Sequence, residues 1–322
     1  MTLEMSTPCT SAFDGDDWLF TVDWDGSRCL LVIDGDGTAR LQGENAVLDS
    51  RFPEIVAAAG LRGGRAAVLD GTICVLDDQG RPDLESLCRR VAARVSRPQA
   101  AYLATDLLHL DGEPLIRRPL LARLAILADL IGTDSRLQLP DHVAGHGRAL
   151  AAAAAARRLP AMLARRHDAP YRTGVASPER LRVALSDRRE AVVVGWQGTA
   201  PLVRVVLGDW VDGHLSLVGT ARVEDPLVGR WLLGVAETAE VAVEDSALAG
   251  EGTTWLRPRL VASIRSGAGD APTSAEVVLV ALRDDIDPAW CVRRRPVDPP
   301  QVSSRRPLRP FSPTVLSALP LA

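Results

Sequence analysis

The chain contains no lysine among its 322 residues, so all 37 residues of the Lys and Arg class are arginine. Lysine is one of the commonest residues of globular domains, and its complete absence restricts the chemistry that is available. Arginine stays protonated in proteins, and its nitrogens therefore do not act as nucleophiles. The sequence thus excludes every mechanism in which a lysine amine forms a covalent intermediate, whether a Schiff base or a bond to phosphorus.

Long apolar runs, clustered cysteines and aromatic residues are also scarce. No segment approaches the 18 uninterrupted apolar residues of a membrane-spanning helix, and the acidic N-terminal segment lacks the apolar core of a secretory signal. The five cysteines show no C-x-x-C spacing, and His109 and His167 stand alone, so neither a disulfide framework nor a metal site is indicated. We expect a cytoplasmic monomer that has no membrane contact and binds no metal.

Positive charge is concentrated in two segments, although the chain has a net charge of −4. Residues 151–190 contain nine arginines against four acidic residues, and residues 291–310 contain six arginines against one, which gives each segment a net charge of +5. The acidic total argues against strong indiscriminate binding of nucleic acid, because attraction to phosphate must then be local. The two basic segments are either contacts for an anionic partner or solvated charged faces.

Apolar periodicity changes character near Ser186–Glu190. Before this point, strand-like segments alternate with helical patterns over 84–91, 119–131 and 146–158, whereas short strands and one helical segment, 226–239, follow it. These patterns predict an α+β fold with a mixed domain over 1–188, a small barrel such as an OB-fold over 189–292, and a flexible tail rich in proline and arginine over 293–322. The dipeptide Asp70-Gly71 is expected to separate two strands.

Several short segments combine turn glycines with charged residues in a fixed order along the chain. The first is Asp23-Trp24-Asp25-Gly26-Ser27-Arg28, which directly follows a strand-like segment. The others are, in order, Arg40-Leu41-Gln42-Gly43-Glu44-Asn45-Ala46, Arg51-Phe52-Pro53-Glu54, Leu69-Asp70-Gly71-Thr72, Thr105-Asp106-Leu107-Leu108, the segment from Pro160 to Gly174, and Arg180-Leu181-Arg182-Val183-Ala184.

In their order and residues, these segments resemble the motifs of the ATP-dependent DNA ligases, in particular the ligase module of bacterial end-joining ligases. The resemblance covers roughly residues 15–292 and depends on many collinear segments rather than on one motif. It implies a nucleotidyltransferase-like adenylation domain followed by an OB-fold barrel. It also implies descent from enzymes that use ATP and Mg²⁺.

The same resemblance implies that the groups responsible for the chemistry have been replaced. Asp23 stands where the family motif K-x-D-G-x-R has the lysine that attacks the α-phosphate of ATP and holds AMP. Thr72 and Pro160 stand where two glutamates would orient the ribose and the metal, and Thr105 stands where an aromatic residue stacks on adenine. We therefore expect Asp23 to be a structural carboxylate and the two threonines to be small polar fillers.

Arginine replaces lysine at two motif positions, Arg165 and Arg182, and there it retains charge that can hold phosphate. Arg28 is kept; it either contacts a nucleotide or, as we expect, forms a salt bridge with Asp23 in the emptied pocket. The positions of the degenerate pocket are Asp23, Trp24, Asp25, Gly26, Arg28, Thr72, Thr105, Pro160, Arg165 and Arg182. The candidate DNA-binding residues are Arg165, Arg166, Arg182, Arg293, Arg294 and Arg295.

These observations favour a catalytically degenerate homologue of an ATP-dependent DNA ligase, with no catalytic residue and no cofactor of its own. Such a protein would bind DNA ends or a partner in DNA repair and recombination, and its DNA binding would be modest and dependent on salt. Two alternatives stay open. The chain is a residual ligase that seals pre-adenylated nicks, or it is an interaction protein with no role on nucleic acid.

Overall fold

The computed structural model describes residues 2–44, 46–132, 136–199, 202–238, 243–244, 249, 252–265, 277–292 and 296–300. Its strands are β1 (Met5–Cys9), β2 (Gly15–Val22), β3 (Ser27–Ile33), β4 (Ala39–Gln42), β5 (Ala67–Val75), β6 (Ala100–Leu110), β7 (Glu113–Pro114), β8 (Leu137–Gln138), β9 (Val143–Gly145), β10 (Ala161–Arg166), β11 (Ala176–Ala184), β12 (Arg188–Thr199), β13 (Leu202–Val211), β14 (His214–Val223), β15 (Val243–Glu244), β16 (Thr254–Arg265) and β17 (Val278–Arg283). Its helices are α1 (Pro53–Ala58), α2 (Leu84–Ala93), α3 (Leu120–Leu130), α4 (Gly147–Ala156) and α5 (Pro226–Val235), with short 3₁₀ turns at Asp49–Arg51 and Pro288–Trp290.

The chain forms two compact units. One comprises Met1–Asp83, Gln99–Ser186 and residues 296–300, and the other comprises Leu84–Pro98 and Asp187–Arg294. Both units combine sheets with helices, which confirms the expected α+β class. The limits at residues 188 and 292 stay a prediction, and the expected flexible tail lies almost entirely outside the described residues. None of the described helices is long and apolar enough to cross a membrane.

The first sheet of the first unit has the strand order β1-β11-β10-β2-β9. Side chains alternate between the two faces of a strand, so this sheet has two chemically different faces. One face is apolar: Phe20 of β2 and Met162 of β10 are fully buried beside Phe13, against which α4 also packs. The ring of Phe13 meets that of Trp18 edge to face, with the ring centroids 5.1 Å apart.

The opposite face of this sheet carries charged side chains. The antiparallel register places Arg165 of β10 beside Arg180 of β11, and Leu163 beside Arg182. Residues two apart on a strand share a face, so Arg165, Arg180 and Arg182 lie on one side of the sheet, away from the apolar core of the other side. The candidate functional site described below includes side chains of this face.

The second sheet has the order β4-β3-β5-β6-β7, with β8 paired to β6. Strand β5 runs without a break through Asp70 and Gly71, so the expected interruption at this dipeptide is wrong. A Cβ atom on Gly71 would lie 2.5 Å from the ring of Tyr102 and 2.6 Å from the Leu103 carbonyl oxygen. Glycine stands here because a neighbouring strand and its aromatic ring approach the backbone closely, not because the chain turns.

The second unit is built on a six-stranded sheet with the order β15-β14-β13-β12-β16-β17. The Asp225 side chain accepts a hydrogen bond from the Leu227 amide at the start of α5. It also forms an ion pair with Arg89 of α2, with a Nε–Oδ2 distance of 2.7 Å. This carboxylate therefore caps one helix and ties it to the other. The four helices expected from periodicity are all present, although α5 ends at Val235 rather than at 239.

Candidate functional site

The candidate site begins where β2 ends. The Asp23 amide donates to the Ala161 carbonyl, with an N–O distance of 3.0 Å, and so anchors the chain next to the buried Pro160. The Asp23 carboxylate pairs with Arg182, whose Nε lies 2.6 Å from Oδ2. The expected Arg28–Asp23 salt bridge is therefore wrong, because Arg28 lies on β3 in the second sheet and has another partner there.

Arg28 forms a bidentate pair with the fully buried Asp70. Its Nη2 lies 2.5 Å from Oδ2 and its Nε 3.1 Å from Oδ1. The Tyr171 hydroxyl donates to the same carboxylate at 2.9 Å and accepts from the Glu4 amide at 2.9 Å. Burial alone would raise the pKa of Asp70, but Arg28 and Tyr171 hold it below its usual value. The carboxylate is charged, and the groups around it satisfy it.

A second buried carboxylate, Asp106 on β6, gathers two arginines. Arg123 of α3 binds it with two hydrogen bonds of 2.7 and 2.9 Å, whereas Arg165 Nη1 stands 3.6 Å away and donates instead to the Thr105 carbonyl at 2.8 Å. Arg165 is only 5% exposed. Its burial lowers its pKa to about 10, a shift that Asp106 opposes and Arg180 reinforces.

This burial corrects the expectation of an exposed cluster formed by Arg165, Arg166 and Arg182. Arg165 is buried because its side of β10 faces Asp106. It is therefore neither accessible to DNA nor exposed on a solvated strand face. Arg166 lies near the surface and binds Asp168 with two hydrogen bonds of 2.9 and 2.8 Å. Arg182 is engaged by Asp23. Arg293, Arg294 and Arg295 lie outside the described residues.

In the first motif, Asp23 to Arg28, the chain at Gly26 lies directly against the backbone of β5. A Cβ atom on Gly26 would lie 2.1 Å from the Ile73 carbonyl oxygen, so only glycine fits at this position. The carbonyl of Asp25 accepts a contact of 3.7 Å from the Cys74 thiol. Trp24 is half-buried, and its indole nitrogen has no hydrogen-bond partner within the described part of the chain.

The other replaced positions carry small side chains that are at least half-buried. Thr72 is half-buried on β5, in register with Arg28. The Thr105 hydroxyl donates to the Asp70 carbonyl at 3.2 Å, as expected of a polar filler. Pro160 is buried directly before β10, and its carbonyl accepts from the Leu185 amide at 2.9 Å. Asp23, Pro160 and Arg182 thus lie near one end of the first sheet, whereas Thr72 and Thr105 belong to the second.

Sequence reasoning missed the residues that complete the buried network, namely Glu4, Asp106, Arg123, Tyr171 and Arg180. A signal was present for two of them. Arg123 interrupts the apolar stripe of α3, and Asp106 interrupts the apolar run of β6. A charged residue inside a buried pattern requires a partner, and these two are partners of each other. Across the described ranges, no group of three or more His, Cys, Asp or Glu side chains is arranged to hold a metal ion.

The comparisons with known proteins agree on one family. Residues 5–174 match the model of the ATP dependent DNA ligase domain. The chain is 28% identical over 262 residues to the multifunctional non-homologous end joining DNA repair protein LigD of Mycobacterium tuberculosis, which covers 77% of this chain and 34% of the relative. It is 30% identical over 267 residues to a probable DNA ligase of Streptomyces avermitilis, which covers 74% of this chain and 49% of the relative.

A solved structure has the same fold. A structure of mycobacterial DNA ligase D complexed with ATP and MES matches with a TM-score of 0.63 and 24% identity, covering 91% of this chain and 98% of that one. The likeness shows a nucleotidyltransferase-like domain followed by an OB-fold, as the sequence predicts. The chain spans about a third of the length of the LigD relatives that it matches.

Proposed function

We propose that this chain, which belongs to the family of ATP-dependent DNA ligase domains, keeps the ligase fold without forming a covalent adenylate, and acts by binding DNA ends or a repair partner. The observation that carries this proposal is the pair between Asp23 and Arg182, with its Nε–Oδ2 distance of 2.6 Å. In the family, the position of Asp23 is that of the nucleophilic lysine.

The pair removes two functions at once. A carboxylate at the nucleophile position faces an anionic phosphate, and at 4 Å this repulsion costs roughly 4 kcal/mol with the effective dielectric of a near-surface site. Arg182 occupies a position that in the family carries a cation for phosphate. Here its Nε hydrogen bond is directed to Asp23. Any nucleotide would have to break this contact before it gained a new one.

The remaining positions do not fit ATP and Mg²⁺ either. The side chain of Pro160 has no oxygen, Thr72 offers a hydroxyl in place of a carboxylate, and Thr105 offers no ring on which adenine could stack. The described residues provide no cluster of ligands for a divalent ion. No catalytic step through a bound nucleotide is therefore derived for this chain.

DNA binding is supported by the family and by the charge distribution. Two of the relatives are named as a DNA repair protein and a probable DNA ligase. The most basic segment outside the buried network is 291–310, with six arginines against one acidic residue, and Arg166 adds charge near the surface. Because the whole chain is acidic, binding should be modest and strongly dependent on salt.

The proposal is tested with three labelled duplexes: one with an ordinary nick, one with a pre-adenylated nick, and one intact. We expect that the chain seals neither of the first two duplexes. We also expect it to bind DNA, and a plot of the logarithm of the binding constant against the logarithm of salt concentration should have a slope of about −4 to −5. Removal of residues 293–322 should flatten that slope. The matched control is Arg148→Gln, an exposed arginine on α4.

Each contrary result favours a stated alternative. Sealing of the pre-adenylated nick alone would identify a residual ligase. The absence of binding to all three duplexes at low salt would reject DNA as the partner and favour an interaction protein. An unchanged slope after removal of the tail would show that other arginines carry the DNA contact.

A further inference from the structure

We propose that a crevice inside the first unit binds a single monoatomic anion of halide size. Its volume is about 10 Å³, which is room for one water-sized particle. The charged residues that line it are Glu4, Asp106, Arg123, Arg165, Arg166, Glu179 and Arg180. The proposal concerns these residues alone and does not depend on DNA binding.

Two of the lining arginines have hydrogen-bond donors without acceptors. The Nε of Arg165, and both Nε and Nη1 of Arg180, lack a hydrogen-bond partner among the described residues. Both side chains are more than nine-tenths buried, with 7% and 5% exposed. A buried donor on a charged group is costly when it is left unsatisfied, and native proteins seldom tolerate it. The crevice therefore offers donors that an acceptor inside it can use.

The charges around the crevice do not balance. Three buried arginines, Arg123, Arg165 and Arg180, line it with two buried carboxylates, Asp106 and Glu4. The charge of the nearby Asp70 is already balanced by Arg28. Burial raises the pKa of Glu4, so this residue gives up its proton less readily than usual. The pKa of Arg165, about 10, still leaves that arginine charged at neutral pH. An excess of one positive charge remains in a poorly hydrated place, where an unpaired charge is expensive.

Arg166 and Glu179, the two lining residues closer to the surface, do not remove this excess of positive charge. Arg166 is bound by Asp168, and Glu179 is bound by Arg172 at 2.9 Å, so each forms a neutral pair of its own. Glu179 therefore does not serve as a counter-ion for the buried arginines.

The distances between the buried partners leave two of the arginines without a direct hydrogen bond to a carboxylate. Arg123 approaches Asp106 to 2.7 Å, whereas Arg165 stays 3.6 Å from Asp106 and Arg180 stays 3.8 Å from Glu4. The two longer separations exceed hydrogen-bond length. A water molecule could accept from the unsatisfied donors but would leave the charge unbalanced. One small anion satisfies both the donors and the charge, and a monoatomic ion is the smallest that does so.

The test compares thermal unfolding in chloride and in gluconate at equal ionic strength and pH. A ligand that binds only the folded state raises Tm with its concentration. We expect Tm in chloride to exceed that in gluconate by about 3 °C or more for the unaltered chain and for the exposed control Arg148→Gln. The variant Arg180→Gln should lose the difference. Any stabilisation by inorganic phosphate should be the same in the unaltered chain and in Arg180→Gln, because phosphate also stabilises folded proteins without binding a site.

A second measurement avoids any variant. Crystals of the unaltered chain grown in bromide should show an anomalous scattering peak within about 3.5 Å of Arg165 Nε, which is the contact distance expected for a halide and a donor nitrogen. Equal Tm values in chloride and gluconate would overturn the proposal and leave water as the occupant. Stabilisation by phosphate that Arg180→Gln abolishes, or a bromide map without a peak in the crevice, would overturn it as well.

Discussion

Two of the arginine–aspartate pairs in the first unit differ in burial and in how they match the family motifs. Arg28 and Asp70 stand at positions that match the family motifs; the Asp70 side chain is fully buried, and Tyr171 supports the pair. By the motif resemblance, Asp23 and Arg182 stand where the family has lysines, and they are 26% and 30% exposed. The retained pair is thus part of the core, whereas the replaced pair lies nearer the surface. This contrast is what the proposed function requires, namely a preserved fold whose chemistry has been lost.

The retained pair should dominate stability. In Asp70→Asn, Arg28 loses its buried counter-charge, and removal of one partner of a buried pair costs about 3–5 kcal/mol. Chemical denaturation should report this loss in the free energy of unfolding. The matched control is Asp168→Asn, which breaks the half-exposed pair with Arg166 and should cost less than about 1 kcal/mol. Similar losses in both variants would remove the distinction between the two kinds of pair.

The retained pair should also make the free energy of unfolding depend on pH in the acidic range. Because the pKa of Asp70 is lowered in the folded state, its contribution is present above the unfolded value of about 3.9 and is lost as the pH falls through the folded value. Denaturation of the unaltered chain and of Asp70→Asn should therefore converge below about pH 4. A gap that stays constant down to pH 2 would show that the carboxylate charge is not what stabilises the core.

The backbone next to Asp70 should be the next most sensitive place. Gly71→Ala introduces a Cβ 2.5 Å from the Tyr102 ring, and the resulting overpacking should cost about 1–3 kcal/mol. Gly35→Ala is the control, since no atom lies within 4 Å of its added Cβ and the change should stay within about 0.5 kcal/mol. If Gly71→Ala is as harmless as its control, the close approach of Tyr102 does not explain the unbroken strand.

The replaced pair should contribute least. Asp23→Asn removes one partner of a half-exposed pair, and we expect a loss of no more than about 1 kcal/mol in the free energy of unfolding. Asp23→Lys should not restore ligation, because Thr72, Thr105 and Pro160 remain in place. Nick sealing by this single variant would show that the proposed loss of ligation depends on one residue alone.

The sequence predicted the fold better than it predicted the contacts. Helices α2 to α5 follow apolar periodicity, and the collinear motifs indicated the family. Two errors concern charge. Arg28 was assigned to Asp23 because both lie in one motif, but the register of β3 and β5 brings it to Asp70. Arg165 was a candidate for DNA binding because it replaces a motif lysine and keeps its charge. Its burial depends on Asp106, which is 59 positions away and is brought near only by the fold.

The central claim is tested most directly by the mass of the protein itself. The purified chain is incubated with ATP and magnesium, denatured, and measured as an intact polypeptide beside an active ligase treated in the same way. We predict an unchanged mass for this chain and a gain of one AMP for the active ligase. A gain of one AMP per chain that survives denaturation would contradict the account, because this protein has no lysine and Asp23 stands at the nucleophile position.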